Sequence, residues 1–429
     1  PVGGSVSASP PSGVSGSTRF ELTASGFSDD HPPLRYGFWS QPVGTTTAAS
    51  RTPLAPESEL PVLRGVILPE GTLTIGCTAT DAYGASADAA FVTTVQVSAP
   101  TMSAEECSAA SAAAASEGSA SGSAQLTAVC ANILTSGGGT GSAEDRMNQA
   151  GALINSLASS FELAAGDPAM IGALANQVGA LAGSLDVSGD AGKAAAVNLL
   201  GLVNNLLEPA NIGRMPPAQK NNTLGALGGT LSTVLGLATA SPPASPPPPT
   251  ALPPPSPMLL YSTPSAPGAP PAPGGAPLTF GRRRLQDGGS FQEQVAESVR
   301  TGVDRMSIGA LTNSLSGEGF ELNTTSFQLL AARREPTSLP GATLSANAAG
   351  ATFALPRAAV DVATALAGAD DSLDVQLTSF ASDPYSYHPS AARRAGVASG
   401  LTLRRGSNTL ELSGLPAPVR IRMPLHVDL

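Results

Sequence analysis

The chain contains 429 residues, of which 13% are charged and 4% are aromatic, so Leu, Val and Ala must form most of its cores. A formal net charge of -10 argues against a nucleic-acid-binding surface, because neutralising phosphates requires clustered Lys and Arg and the longest basic run is Arg282–Arg284. The sequence shows neither a run of about 18 apolar residues nor a signal peptide, so we do not expect this segment itself to span a membrane. Because it starts without Met and stops after a strand-like run, we interpret it as an excised piece of a longer protein.

The first predicted unit, residues 16–100, has the pattern of a small β-sandwich. Leu73, Ile75 and Cys77 alternate with threonine and glycine, which is the period-two signature of a half-buried strand. A turn is predicted at Asp81–Gly84, since Asp and Gly tolerate turn dihedrals. Several short strands at this spacing are typical of an Ig-like sandwich. We expect a shared core made of Phe20, Leu22, Tyr36, Phe38, Leu73, Ile75 and Val95.

The second unit, residues 101–240, is predicted to be a bundle of amphipathic helices. Apolar residues recur at helical spacing in four segments, which start at Leu153, Ile171, Leu202 and Leu224. The breaks between these segments fall at 166–168, 188–190 and 215–217. Four such helices joined by short loops form a bundle, whose many Ala and Gly residues permit close packing.

A proline-rich segment, residues 241–289, separates this unit from the next. Its prolines cannot donate backbone hydrogen bonds and few branched apolar residues accompany them, so the segment is predicted to be disordered or extended. It serves either as a spacer or as a loop between halves that touch. The basic run Arg282–Arg284 is a candidate site of proteolytic cleavage, with a solvated charge cluster as the alternative.

The last unit, residues 290–429, is predicted to begin with a helix at Phe291–Met306 and to continue as an antiparallel β-sandwich. Alternating apolar residues mark the strands, and in the final strand Arg420 and Arg422 point away from the apolar positions. This pattern predicts an antiparallel sheet with one face exposed to solvent. The predicted fold class is therefore multidomain α+β, with an Ig-like β-sandwich, a central helical bundle and a C-terminal antiparallel β-sandwich.

Three cysteines and two glycosylation sequons bear on the cellular compartment. Cys107 and Cys130 flank a segment of small residues and are predicted to form a disulfide, whose loop closure contributes about 3 kcal/mol. Cys77 lies in a predicted strand, where we expect a buried, unpaired thiol. Asn221 and Asn323 begin Asn-x-Thr triplets and are candidate glycosylation sites. Both features favour an extracellular setting.

The motifs of common enzymes are absent from the sequence. Its three histidines, His31, His388 and His426, lie in neither a G-x-S-x-G nor an H-E-x-x-H motif. The glycine run at Gly137–Gly139 lacks the Lys-Ser/Thr of a phosphate-binding loop. A glycan-acting enzyme would need two carboxylates facing a cleft, and the sequence indicates none. We therefore predict no catalytic residue and no cofactor.

Carboxylates near one end of the predicted sandwich are the candidates for a metal site. Asp29 and Asp30 are adjacent in a predicted turn, and Asp81 supplies a third oxygen donor for Ca²⁺. The alternative is that these residues cap turns and remain solvated. The sequence favours this alternative, since no D-x-D-x-D spacing supports full coordination, and we predict no metal.

The N-terminal residues resemble the polycystic-kidney-disease (PKD) type of repeat that occurs within receptor-for-egg-jelly (REJ) modules. The resemblance is carried by the segments Thr18–Leu22, Gly26–Asp30, Pro33–Phe38, Leu73–Ile75 and Asp81–Ala85. Phe27 stands where the family has Trp. This similarity implies an Ig-like sandwich in the extracellular part of a membrane protein.

The C-terminal residues resemble the region that precedes the cleavage site of polycystins and egg-jelly receptors. The matching segments are Phe353–Pro356, Val375–Phe380, Asp383–Tyr387 and Leu410–Pro424. In that family these strands belong to a GAIN-type domain, although the cleavage tripeptide is absent here, so no autoproteolytic residue is carried over. The resemblance implies that helices and following strands form one fold, so the helix at Phe291–Met306 should dock on the helices before residue 240. The Ser-Pro-Pro-rich insert is similar to hydroxyproline-rich segments of green-algal surface proteins.

Together these patterns predict a non-catalytic extracellular portion of an REJ/polycystin-like membrane protein. By resemblance, the parent would be membrane-anchored at the plasma or ciliary membrane and would carry a cation channel, while this segment would bind a ligand or sense force. The expected partner is an extracellular protein or glycan, and no nucleic acid. The alternative is a secreted hydroxyproline-rich matrix or cell-wall protein, in which the proline-rich segment is a structural spacer.

Overall fold

The structure is a computed structural model that describes most of the chain outside the proline-rich segment. The described residues are 1–45, 51–117, 119–135, 142–164, 167–240, 290–345, 351–367, 372–381, 384, 398–410 and 419–422. The predicted linker, its Arg282–Arg284 run, His388 and His426 therefore lie outside them. In the described residues the protein is a mixed α/β structure with several sheets.

Two sheets face each other in the N-terminal part. One has the strand order β1-β3-β6, and the other has the order β2-β9-β7-β4-β5 with β8 paired to β7. All strand pairs are antiparallel except β2 with β9. Two of the strands precede residue 16, where the sequence pattern placed the start of the unit. The strands are β1 Val2–Ser9, β2 Ser12–Val14, β3 Phe20–Ser28, β4 Arg35–Pro42, β5 Thr52–Pro53, β6 Val62–Val66, β7 Gly71–Thr80, β8 Ser86–Asp88 and β9 Thr93–Ser98.

The predicted sandwich core is confirmed. Alternate residues in the first half of β3 and along β7 point between the sheets, as period-two alternation requires. Six of the seven predicted core residues are buried in one cluster, and Tyr36 is half-buried against it. The buried six are Phe20, Leu22, Phe38, Leu73, Ile75 and Val95. The scarce aromatic side chains therefore anchor this core.

Helices make up most of the described chain between residues 104 and 240. The four segments with helical periodicity correspond to α3, α4, α5 and α7, while two further helices, α1 and α2, precede them and a short α6 precedes α7. The bounds are α1 Ala104–Ser116, α2 Ala120–Thr135, α3 Ala143–Ala164, α4 Pro168–Gly183, α5 Asp190–Leu206, α6 Pro209–Ile212 and α7 Pro217–Ala240. Helix α1 begins at a capping box, in which the Ser103 hydroxyl accepts from the Glu106 backbone N–H and the Glu106 carboxylate accepts from the Ser103 N–H at 2.8 Å.

The helix after the linker docks on the helices before it, which confirms the predicted docking. Helix α8, Phe291–Leu311, packs on α5 and α7, and its apolar side chains join the same buried cluster as theirs. The Asn204 amide donates to the Ser298 carbonyl at 3.1 Å, and Arg305 pairs with Glu208 at 2.6 Å. Residues more than 90 positions apart in sequence therefore share one core.

The C-terminal residues form two sheets and one helix. The first sheet has the order β10-β11-β14-β15-β16, and the second has the order β12-β13-β17. The bounds are β10 Gly319–Asn323, β11 Phe327–Arg334, β12 Thr343–Ser345, β13 Thr352–Ala354, α9 Arg357–Ala367, β14 Leu373–Phe380, β15 Ser399–Arg405, β16 Asn408–Thr409 and β17 Arg420–Arg422. The final strand pairs with β13 rather than extending the first sheet, and its Ile421 is 56% exposed.

The expectation of one solvent-exposed face is wrong for the central strand of the larger sheet. Every residue of β14 except the last is buried. Its apolar side chains join the core of the two sheets, while polar side chains that alternate with them contact α8 and the end of β11. The Asp374 carboxylate accepts from Nε and Nη2 of Arg333 at 2.7 and 3.0 Å. The Gln376 amide donates to Asp304 of α8 at 3.0 Å. A polar face is buried because its charges are paired.

Helix α7 has the length and apolar composition to cross a membrane over Gln219–Ala240, although it contains no uninterrupted run of apolar residues. A core helix of a soluble protein passes the same test. Its leucines are buried among the other helices, with Leu224, Leu227 and Leu231 all at 0% exposure. In this structure α7 therefore packs into the shared core of the described helices.

Candidate ligand-binding cleft

The two cysteines of the helical part are joined. Cys107 of α1 and Cys130 of α2 form a disulfide with a Cα–Cα distance of 5.6 Å, and both side chains are fully buried. Cys77 is a free, buried thiol in β7. Burial, with a smaller contribution from the negative charge of Asp88, raises the pKa of the Cys77 thiol to about 12, which makes it a poor nucleophile.

The predicted carboxylates at the end of the sandwich are only partly brought together. Asp29 and Asp81 lie with His31, and their potential ligand atoms are all within 4.8 Å of one another, whereas Asp30 is not part of this group. Asp29 pairs with the amino group of Pro1 and accepts from the His31 backbone N–H, and these two hydrogen bonds lower its pKa. These bonds are those of turn-capping carboxylates.

Asp81 caps the adjacent turn. One of its carboxylate oxygens accepts from the backbone N–H groups of Tyr83 and Ala85 at 2.8 and 2.9 Å. The His31 ring lies edge-on to the Tyr83 ring at 4.9 Å between centroids. The hydrogen bonds account for the placement of both aspartates. The calcium site, which the sequence did not favour, stays an untested hypothesis.

Both predicted glycosylation sites lie on the surface. Asn221 is exposed on α7, and Asn323 is exposed at the end of β10, where its amide donates to Glu321 at 3.1 Å. The hydroxyl-bearing residue of the first triplet, Thr223, is only 2% exposed. An attached glycan would extend from either asparagine into solvent.

A cleft of about 560 Å³ separates the outer face of the larger N-terminal sheet from helices α4 and α7. This volume falls within the range of small-molecule sites, about 300–1,000 Å³. Strands β4, β5 and β7 form one wall, and α4, α7 and the segment before α7 form the other. Sequence analysis missed this cleft, because its two walls lie at least 94 residues apart in the chain (Thr78 to Gly172).

The floor of the cleft is built on the single tryptophan of the chain. Trp39 of β4 lies flat over Gly76 of β7, where any side chain would overlap its ring. The guanidinium of Arg51 lies 4.1 Å above the ring centroid, in a cation–π contact. Arg51 also donates from Nη1 to Asp88 at 2.8 Å, and Asp88 accepts from the Thr78 hydroxyl at 2.6 Å. The arginine is therefore held on two sides.

Two hydrogen-bond donors in this floor have no partner among the described residues. They are Nε1 of Trp39 and Nε of Arg51, and both atoms are buried. An unpartnered buried donor costs about 1–3 kcal/mol, so such groups are uncommon in folded proteins. Trp39 itself is only 8% exposed. The floor thus contains donor capacity that the described part of the protein does not use.

The remaining polar groups of the cleft are one carboxylate and several amides. Glu57 lies over Gly37 of β4, where a Cβ would come within 3.2 Å of its Cγ. Across the cleft, Asn176 of α4 and Asn222 of α7 are exposed. The Gln219 side chain is held in place, since its amide donates to the Pro168 carbonyl at 2.5 Å. The cleft is therefore lined by one cation, one anion and neutral amides.

The N-terminal part of the chain is a two-sheet sandwich, and a disulfide joins the two helices that follow it. Residues 1–127 match the REJ domain, so the match spans the sandwich, α1 and half of α2 and ends three residues before Cys130. REJ domains belong to polycystin-like extracellular regions. No curated protein and no solved structure matches the chain.

Proposed function

We propose that the chain is a non-catalytic extracellular portion of an REJ/polycystin-like membrane protein that binds a ligand or senses force. The observation that carries this proposal is the REJ match over residues 1–127. The REJ domain is a family of non-catalytic ectodomains. The match covers 127 of the 429 residues, and the role of the remaining 302 (429 less 127) rests on their packing against the first part.

The chemistry of the described residues supports an extracellular location. A buried disulfide such as Cys107–Cys130 persists in oxidising compartments and is rare in the cytosol. The asparagines of both sequons, Asn221 and Asn323, are exposed, which supports an assignment as glycan acceptors. The two-sheet core around Phe20 and Phe38 is compatible with a PKD-type sandwich.

Contacts between the sandwich and helix α2 support transmission of force or of a ligand signal. The Gln125 side chain of α2 accepts from the Ile67 backbone N–H at 2.7 Å and donates to the Leu54 carbonyl at 2.7 Å. Ile67, from the sandwich, is buried in the helical core rather than in its own. A pull on the sandwich would therefore reach the helices through this side chain and this amide.

The finer parts of the proposal come from the resemblance of the C-terminal segments. We assign residues 290–429 to a GAIN-like region, and the parent to a membrane-anchored cation channel at the plasma or ciliary membrane of an algal-type cell. The expected partner is an extracellular protein or glycan. The alternative of a hydroxyproline-rich matrix protein has no observation in its favour, since segment 241–289 lies outside the described residues.

Surface labelling of cells that express the natural gene tests the proposal. An antibody raised against the chain should stain intact cells, and protease added outside should remove the signal. A membrane-integrity control with an antibody against a cytosolic protein must stay negative until the cells are permeabilised. Staining that requires permeabilisation would contradict the extracellular assignment. Release of the whole antigen by salt washing would favour the matrix alternative.

A further inference from the structure

We propose that the cleft between the sandwich and helices α4 and α7 binds a small zwitterion of the amino-acid or short-peptide class. The carboxylate of the ligand would lie on Arg51, and its ammonium group on Glu57. This inference deepens the proposed function, on which it rests, by giving the extracellular segment a ligand of stated chemistry. It is carried by the geometry of the two charged groups and by the unused donors beside them.

One edge of the Arg51 guanidinium makes no hydrogen bond within the described residues. Its Nη1 is taken by Asp88 at 2.8 Å, while its Nε has no partner in the described part of the chain. The edge formed by Nε and Nη2 is the side on which a guanidinium binds a carboxylate with two parallel hydrogen bonds. Stacking on Trp39 holds the guanidinium plane, so less side-chain entropy is lost when the ligand binds.

Glu57 and Arg51 line the same wall of the cleft. Arg51 lies over Trp39 and Glu57 lies over Gly37, two residues apart on β4. Alternate positions of a strand share a face, so both charged groups lie on the side of β4 that faces the cleft. In the described residues Arg51 pairs with Asp88 and not with Glu57. The ligand would bridge Arg51 and Glu57.

The balance of charges sets the class of ligand. With one cation and one anion in the cleft, a ligand that carries both charges is neutralised, whereas a polyanion would face Glu57, Asp88 and a chain of formal net charge -10. The amides of Asn176 and Asn222 offer donors and acceptors to a peptide bond or polar side chain. A volume of about 560 Å³ limits the ligand to a few residues.

The test measures binding to the purified 429-residue chain by isothermal titration calorimetry. The probes are an equimolar mixture of the twenty L-amino acids, then glycylglycine, N-acetylglycylglycine and glycylglycinamide. We expect saturable binding of the mixture or of glycylglycine. Acetylation or amidation should weaken it by about tenfold or more, because each removes one charged contact. Maltotriose serves as the uncharged probe and should not bind.

Four variants separate the site from general effects. Arg51→Lys keeps the charge but loses the two-nitrogen edge, and Glu57→Gln keeps the shape but loses the charge, so each should weaken binding about tenfold or more. The matched controls, Arg64→Lys and Glu21→Gln, alter an exposed ion pair elsewhere on the sandwich and should change nothing. Melting curves must show that all four remain folded. Glu57→Gln changes an exposed residue, so it keeps the test valid if Arg51→Lys unfolds.

Several outcomes would overturn the inference. These are no binding of any probe, equal binding of the acetylated and amidated peptides, binding of maltotriose in their place, or equal losses in the control pair. Surface labelling of cells is an independent measurement. Failed binding with a surface-exposed chain would remove this inference alone, and binding by a chain found inside cells would remove the proposed function alone.

Discussion

The double variant Cys107→Ala/Cys130→Ala removes the covalent link between α1 and α2 and leaves every other residue unchanged. The two cysteines are 23 residues apart. A loop of that length, opened in the unfolded chain, regains entropy worth about 3.4 kcal/mol at 25 °C in the chain-entropy model. Both side chains are fully buried, so the loss of sulfur contacts adds to this figure. We expect a loss of about 3–5 kcal/mol of stability in the helical part.

Urea unfolding followed by circular dichroism at 222 nm, a wavelength that reports mainly helix, measures this loss. Reduction of the natural chain should lower its midpoint as the double variant does, and reduction should leave the double variant unchanged. Cys77→Ala is the matched control, because it removes another fully buried sulfur that cross-links nothing. Its loss should stay within the range of a small cavity, about 1 kcal/mol.

Thiol counting gives the result that refutes the reasoning. The unreduced chain, titrated with a thiol reagent in guanidinium, should show a single free thiol from Cys77. Three free thiols would mean that Cys107 and Cys130 are not joined. A double variant as stable as the Cys77→Ala control would mean that the cross-link does not support the helical core.

Three further predictions concern the contacts between parts of the fold. Gln125→Ala should cost about 1–3 kcal/mol of stability, since it leaves the Ile67 amide without its acceptor. Hydrogen exchange at that amide should accelerate, whereas the control Gln96→Ala, at an exposed position of β9, should leave it unchanged. The N-cap hydrogen bonds of Glu106 lower its pKa from its ordinary value of 4.5. The ionised carboxylate therefore stabilises the start of α1 above that pH, and the first turn should fray as the pH falls below it. Glu106→Gln should remove this pH dependence, and an acid transition that the variant leaves unchanged would contradict the reasoning. Cleavage near Arg284 should leave two fragments that co-elute on a sizing column, because α8 shares the helical core, whereas separate elution would mean that the halves are independent.

Periodicity predicted much of the fold because each signal was local. Strands such as β7 alternate strictly, so Ile75 and Cys77 could be assigned to a core before the partner strands were known. The helix at Phe291 was found in the same way and ends only five residues later than predicted, at Leu311 rather than Met306. Helices α1 and α2 were missed as bundle members, because Ala and Ser on both faces leave little contrast between buried and exposed positions.

The order of strands and helices and the identity of most apolar core residues were determined by the sequence itself, since they depend on local spacing and propensity. Only the tertiary structure decided which polar residues meet. Asp374 is buried because Arg333 pairs with it, and strand alternation alone assigned that face to solvent. The cleft is likewise a product of packing, because Arg51 and Asn222 come from distant segments. Contacts between distant segments depend on how whole elements dock, and no local pattern records that.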